Sequence, residues 1–336
     1  MRAVVYRDVG SVVVADVPDP VLLEPDDAVI RVSLSAICGS DLHYFHGKAP
    51  LDPGEGIGHE AVGVVEAIGP AVERSAVGDR VVVSFVISCG RCWFCRAGQT
   101  QLCEDFKYVG AGIFGGDLGG AQAELLRVPH ADVNLLPIPD DMRDEDALFL
   151  GDVLTTGVYA AEVGAVAPGD TVAVVGAGPV GFFAIQAALA RGAERVLALD
   201  LLPERLALAE RAGAEPVDVG ARHPQMAVAE RTDDRGADVV IEAVGHPSAF
   251  ETAIDVVRRG GRVAVVGMYT SETVEVPMGI YWARALDVRF AGICPVHVWW
   301  ERALEHVLSG RIDPSPIVSH RLPLEDAALG YELFDT

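Results

Sequence analysis

Lysine is nearly missing from this chain: Lys48 and Lys107 are the only two among 26 basic residues, and 49 acidic residues bring the formal charge to -23. No Lys/Arg-rich run occurs anywhere, so the sequence offers no surface for a nucleic-acid backbone or an anionic membrane. The N-terminus (Met1-Arg2-Ala3-Val4-Val5-Tyr6-Arg7-Asp8) lacks the uninterrupted apolar stretch and small-residue cleavage site of an export signal, which points to a cytoplasmic protein. Repeats, low-complexity stretches and flexible linkers are also lacking. The one long uncharged run, 171–190, has about the length of a membrane span. Gly-Ala-Gly-Pro-Val-Gly interrupts it, and the residues change there from β-branched to helix-forming, so strand, turn and helix is the better reading. Cysteine is sparse too: there are six, four of them packed at Cys89, Cys92, Cys95 and Cys103. Without an export signal that packing favours metal over disulfides.

Half of the 336 residues are apolar, enough for two buried cores. Residues 1–147 carry short β-branched runs broken by Gly, Pro and Asp, such as 28–34, 61–68 and 80–86, which suit a compact barrel-like β domain. The rhythm then changes to apolar strand, Gly turn and Ala/Leu/Glu-rich helix, the pattern of a doubly wound parallel sheet, and the second domain is placed at 148–295. Six strands are expected there, at 171–175, 195–200, 215–219, 238–242, 262–266 and 288–293, with helices at 180–191, 203–212 and 248–258. A last segment, 296–336, holds a helix at 297–308 and β-like sequence at 317–324, and is expected to return to complete the first domain. A long shared interface and a cleft between the domains follow from the absence of a linker.

Three sets of residues carry chemistry. Cys89-x2-Cys92-x2-Cys95-x7-Cys103, with Gly90 and Gly98 for tight turns, fits the closed tetrahedral shell of a structural zinc in a lobe at about 86–105. An iron-sulfur cluster is the chemical rival, and reduced core thiols the bland one. Gly176-Ala177-Gly178-Pro179-Val180-Gly181 follows a strand and opens a helix, as a pyrophosphate cradle requires: Gly176 for the turn, Gly178 for approach of the backbone, Gly181 for helix-strand packing. Asp200 closes the next strand and can accept from the adenosine ribose hydroxyls, which favours NAD over NADP, although Arg205 lies one helical turn later. Val244 and Gly267 sit in turns after the fourth and fifth strands, where ligands approach such sheets. The third set is dispersed: Cys38 in Ala-Ile-Cys-Gly-Ser-Asp-Leu-His, His59 in Gly-Ile-Gly-His-Glu and Asp152 in Gly-Asp-Val-Leu-Thr-Thr-Gly. Taken singly, none of these marks a site.

Together, and in this order along essentially the whole chain, the motifs resemble the zinc-dependent medium-chain alcohol dehydrogenases, including the sorbitol, threonine and formaldehyde dehydrogenase branches. The resemblance implies an α/β protein, with a GroES-like β-rich catalytic domain joined to a six-stranded Rossmann domain. It implies two zinc ions per chain, one in the four-cysteine lobe and one held by Cys38, His59 and Asp152, where the best-studied members have Cys as third ligand and other branches Asp. Asp41 then matches the carboxylate that orients the zinc-bound His. Glu60 is either a hydrogen-bonded carboxylate beside His59 or an alternate ligand. Ser40 and His43 match the hydroxyl and imidazole that carry the alcohol proton to solvent, and His46 has no such match. Phe85, Tyr44 and Ile113 suggest an apolar substrate wall, and Cys294 a buried core residue.

The implied reaction is reversible, NAD-dependent oxidation of an alcohol to an aldehyde or ketone, by hydride transfer from a zinc-bound alkoxide, in a homodimer or homotetramer. An aldehyde-oxidising or dismutating enzyme of the formaldehyde branch is the nearest rival, and a noncatalytic nicotinamide-binding protein the distant one. Relatives usually continue past Thr336 into another short strand, so a truncated C-terminus is expected.

Overall fold

A computed structural model describes residues 1–270 and 273–335. The chain divides into two compact units: Met1–Asp152 with Pro295–Leu304 and the residues from Val318 onward, and Val153–Cys294 with Glu305–Ile317.

In the first unit, short β-branched runs pair into an antiparallel sheet in the order Leu125–Val128, Ala28–Ser35, Ala61–Ile68, Arg80–Val83, Leu135–Pro137. Ile30, Ala61, Val81, Val83 and Val128 face one core and are essentially inaccessible. Arg2–Asp8 and Ser11–Asp16 form a separate hairpin, and Val86–Ile87 pairs with Lys107–Tyr108 across the base of the cysteine lobe. Glycine sets the close approaches near His59. A Cβ at Gly110 would lie 2.1 Å from Gly58 O, and one at Gly120 would lie 2.2 Å from Ile57 O, so these backbones touch directly.

The second unit is a parallel six-stranded sheet in the order Glu215–Asp218, Arg195–Asp200, Thr171–Val175, Ala237–Glu242, Val257–Val265, Asp287–Phe290. Val172, Val174, Leu197, Val239 and Ile241 are buried to within 1 %. That is why these strands read as unbroken apolar runs rather than alternating ones. The doubly wound expectation holds, with helices at Pro179–Ala190, Pro203–Arg211 and Pro247–Val256.

Several bounds shift by a residue or more, and three differences stand out. The helix expected at 248–258 ends at Val256, because the strand Val257–Val265 begins earlier than its apolar core and takes in Arg258 to Arg262. The strand expected at 288–293 stops at Phe290. No strand forms at 317–324, where prolines at 314, 316 and 323 withhold backbone donors; single 3-10 turns at Ser315–Ile317 and Leu324–Asp326 lead into a helix, Ala327–Asp335. Cys294 is buried, as expected. No helix of the described residues is long and apolar enough to cross a membrane.

Candidate metal centres and cofactor cradle

The lobe after Val86–Ile87 is built by its own chain turns. Gly90 (φ +69°) and Gly98 (φ +74°) adopt left-handed backbone, and a Cβ at Gly90 would meet Val133 Cγ2 at 2.7 Å. These turns bring the sulfurs of Cys89, Cys92, Cys95 and Cys103 to within 4.8 Å of one another. Backbone amides point at them: Cys89 N donates to Cys103 Sγ at 3.2 Å, Cys92 N to Cys89 Sγ at 3.4 Å, Cys95 N to Cys92 Sγ at 3.5 Å and Asp105 N to Cys103 Sγ at 3.3 Å. Such N–H groups favour thiolate over thiol. The donation from Cys95 N, first among the causes, brings the Cys92 thiol down to about 6. Burial pushes Cys95 the other way. Four sulfurs so close cannot all ionise without a cation, and a tetrathiolate with no open position fits a structural zinc.

The dispersed set converges as well. Cys38 follows the strand Ala28–Ser35, and Asp152 follows a 3-10 turn, Leu148–Gly151, that lies against the strand Arg80–Val83; a Cβ at Gly151 would sit 2.6 Å from Val83 O. His59 arrives on the glycine-packed segment described above. Cys38, His59 and Asp152 are all buried, and one ligand atom from each lies within 4.8 Å of the others. His59 Nε2 is 3.1 Å from Asp152 Oδ2, which is 4.0 Å from Cys38 Sγ. On the other side of the ring, His59 Nδ1 is 2.9 Å from Asp41 Oδ1, while Asp41 Oδ2 accepts from Cys38 N at 3.0 Å. One carboxylate therefore orients two of the three ligands.

Burial alone would discharge the His59 imidazolium, but the electrostatic pull of Tyr108 and Asp41 and the hydrogen bonds to Asp152 and Asp41 outweigh it and hold its pKa well above the ordinary value. Burial raises the Cys38 thiol, against the pull of His59. A buried pocket of acids and a thiol that retains a proton on its histidine is a pocket suited to a cation. One thiolate, one carboxylate and one neutral imidazole match the donor set of a catalytic zinc with an open position.

Ser40 places its Oγ 3.3 Å from His59 Nε2, at the ligand-facing edge of the ring. His43 lies on the helix Asp41–Phe45, its amide bonded to Ser40 O at 3.1 Å. Glu60 is buried beside His59 and is not a member of the group of three.

The description "Alcohol dehydrogenase GroES-like domain" matches residues 24–140, and "Zinc-binding dehydrogenase" matches residues 179–308. The chain is 42% identical over 332 residues to a Mycobacterium tuberculosis protein named as a probable zinc-binding alcohol dehydrogenase, covering 98% of this chain and 84% of that one. The chain belongs to the zinc-dependent medium-chain alcohol dehydrogenase family. An alcohol dehydrogenase of Cupriavidus necator is 34% identical, with 99% and 95% of the two chains covered. Among solved structures, the alcohol dehydrogenase TADH from Thermus sp. ATN1 superposes with a TM-score of 0.95 at 46% identity, covering 100% of this chain and 96% of that one. The chain is thus an oxidoreductase of CH–OH donors with two zinc sites, a four-cysteine one and a Cys-His-Asp one.

In this zinc-dependent dehydrogenase, the glycine-rich turn has the expected construction. Gly176 is left-handed (φ +89°), and a Cβ at Gly181 would fall 1.8 Å from Gly176 O. At Gly178 a Cβ would meet only Arg205 Nη1, at 3.8 Å, so this face of the turn stands open. Pro179 begins the helix and Val180 follows it, half-buried. Asp200 Oδ2 accepts from Ala177 N at 2.7 Å, and Oδ1 accepts from Leu201 N and Leu202 N at 2.7 and 2.9 Å. Three of about four acceptor positions of the carboxylate are thereby filled. Arg205 Nη1 lies 4.0 Å from Oδ2. Val244 is half-exposed, and a Cβ at Gly267 would lie 2.0 Å from Gly245 N, so the two turns touch backbone to backbone.

Phe85 and Tyr44 are buried; Ile113, read with them as an apolar wall, is instead 69% exposed on the 3-10 turn Gly112–Phe114. The wall beside His59 includes a residue the sequence reading missed. Tyr108 packs edge-on to both His59 and Phe85, with ring centroids 5.4 and 5.3 Å apart. Nothing in its short strand marks it. Glu242 was also missed, although a carboxylate ending the apolar run Asp238-Val-Val-Ile was a readable signal: buried completely, it accepts from Val244 N and Gly245 N, each at 2.8 Å.

Proposed function

We propose that the chain oxidises an alcohol to an aldehyde or ketone with NAD, reversibly, with Cys38, His59 and Asp152 as the ligands of its catalytic zinc. The observation that carries this reading is the buried convergence of Cys38 Sγ, His59 Nε2 and Asp152 Oδ2, with Asp41 behind His59 Nδ1. When bound, zinc supplies a Lewis acid that makes a substrate hydroxyl more acidic.

The protein's own groups do the rest. Asp41 keeps the His59 ring oriented with Nε2 toward Cys38 and Asp152. Ser40 Oγ accepts the substrate proton, and the His43 imidazole carries it toward solvent. Gly178, left open, would admit the pyrophosphate at the helix N-terminus, and the turns of Val244 and Gly267 would line the adenine and nicotinamide regions. Asp200 favours NAD because its negative charge opposes a 2′-phosphate, and Oδ2 retains an acceptor position for a ribose hydroxyl. Phe85, Tyr44 and Tyr108 supply the apolar side of the substrate site, and Glu60 acts beside His59 as a carboxylate rather than a resting ligand. The domains are read as 1–147 and 296–336 for catalysis and 148–295 for the cofactor, in a cytoplasmic homodimer or homotetramer.

The test is zinc counting together with NADH formation across a panel of alcohols and aldehydes, for wild type and Asp152→Ala, with NADP in a parallel series. Wild type is expected to hold two zincs and to oxidise alcohols with NAD. Losing a Lewis acid worth several kcal/mol, Asp152→Ala is expected to hold one zinc and lose about a thousand-fold in turnover. Unchanged zinc content and turnover in the variant would sink the ligand set. NADH from aldehydes alone would favour the aldehyde-oxidising rival.

A further inference from the structure

Gln122 is a buried amide with both ends engaged. Its Nε2 donates to Ala36 O at 3.1 Å, and because a carbonyl can only accept, this bond fixes which way the amide points. Oε1 therefore faces Tyr331, whose hydroxyl donates to it at 3.1 Å. Between these bonds the side chain lies directly over Gly58: a Cβ at that position would sit 2.5 Å from Gln122 Cγ. Ala36 stands two residues before Cys38, and Gly58 immediately before His59. One amide thus braces the backbone behind two of the three catalytic ligands.

Tyr331 comes from the C-terminal helix Ala327–Asp335 and is completely buried. Its ring stacks on Phe45 at 5.2 Å between centroids, with 27° between the planes. Phe45 closes the short helix that begins with Asp41, the partner of His59 Nδ1. A Cβ at Gly330 would approach Ile37 Cδ1 to 3.0 Å. The C-terminal helix therefore bears directly on residues 37 and 45 and, through Gln122, on residue 36, on both flanks of the Cys38–Asp41 segment.

We propose that Tyr331 and Gln122 form a clamp through which the C-terminal helix holds the Cys38 and His59 segments at the spacing the catalytic zinc requires. Both are positioning residues, since neither belongs to the ligand group. The proposal rests on the ligand reading above. Removing the Tyr331 hydroxyl keeps the ring stack and strands a buried acceptor, Gln122 Oε1. The amide then loses one of the two bonds that fix it over Gly58.

The experiment follows zinc release from the holoenzyme to a chromogenic chelator, resolved into its two phases and assigned to sites with Asp152→Ala. Partners behind metal ligands typically change affinity by about 10–100-fold. Tyr331→Phe is expected to speed release from the Cys38-His59-Asp152 site about tenfold and to leave the four-cysteine phase unchanged. Gln122→Met, of similar length but without hydrogen bonds, is expected to do at least as much. The double variant should be no faster than Gln122→Met, because both act through one amide. His46→Ala breaks an exposed pair with Asp335 on the same helix, 2.8 Å apart, and should leave both phases at the wild-type rate. Cobalt in the catalytic site gives a readout independent of turnover: its visible spectrum should shift in Tyr331→Phe and not in His46→Ala. Two zincs in wild type with equal release rates in all variants would overturn the clamp. A wild type holding only the four-cysteine zinc would overturn the ligand reading on which it stands.

Discussion

The two metal sites of this dehydrogenase are built on opposite plans. The four-cysteine site spans fifteen residues, draws every ligand from one lobe and shapes itself with left-handed Gly90 and Gly98, while Cys89, Cys92 and Cys95 stay partly exposed. The Cys-His-Asp site gathers ligands from positions 38, 59 and 152, all buried, and depends on Asp41, on the glycine crossings at Gly58, Gly110 and Gly151 and on packing contributed from far along the chain. A local site is made by its own turns, so its metal holds the lobe together. A dispersed site is made by the fold, so the fold holds its metal, and three ligands can leave a position for chemistry.

The largest effect that would sharpen this contrast is on stability. Cys103→Ser is expected to empty the four-cysteine site and, as structural zinc contributes folding energy directly, to lower Tm by roughly 10 °C or more. The Cys-His-Asp site should retain its zinc in the same sample, counted by metal analysis. Concerted loss of both zincs would show that the sites are not independent. The next effect belongs to the dispersed site. Asp41→Asn keeps the shape of the side chain but withdraws the charge facing His59 Nδ1. Metal affinity at that site is expected to fall by about 10–100-fold in chelator competition, with Tm nearly unchanged. A Tm loss as large as that of Cys103→Ser would erase the distinction between the two plans.

The same contrast explains what could be read before folding. The Cys-x2-Cys-x2-Cys-x7-Cys spacing and the Gly-rich turn after an apolar strand are local patterns with local causes: in the structure the four sulfurs converge, and the turn joins strand to helix. The inner strands of the parallel sheet were legible because burial on both faces makes them short unbroken apolar runs, whereas the edge strands Glu215–Asp218 and Asp287–Phe290 are largely exposed and were legible from the strand-turn-helix alternation. Cys38, His59 and Asp152 carried no local signal and became a set only through resemblance, because their geometry is set by contacts between distant segments. Tyr108 and Tyr331 escaped for the same reason: each acts by packing across the sheet or from the last helix. The segment 317–324 was misread because β-branched composition was weighed above its prolines.

The smallest effect tests whether the local site is wholly self-contained. His297, on the helix Val296–Leu308, bonds through Nε2 to Asn134 Oδ1 at 2.8 Å and through Nδ1 to Thr100 Oγ1 at 3.1 Å. Asn134 Oδ1 only accepts, so Nε2 carries the proton and Nδ1 accepts from the threonine hydroxyl. Asn134 also receives Ser88 N and donates to Ser88 O, and Thr100 O accepts from Ser88 Oγ, so this network reaches the residue beside Cys89. Both ring nitrogens are committed to a neutral imidazole, and burial lowers the His297 pKa from 6.5 to about 4. In the unfolded chain the ring takes up a proton near 6.5, whereas the folded protein resists it down to about 4, so stability is full above 6.5 and falls as the pH drops between those values. The expected slope is about 1 kcal/mol per pH unit. Urea unfolding at pH 6 and pH 5 in zinc-containing buffer should show His297→Gln less stable than wild type at pH 7 and with a shallower acid slope. Because both chains carry the same four-cysteine site, proton competition for zinc cancels in the difference. Parallel slopes would mean that the lobe stands without this latch.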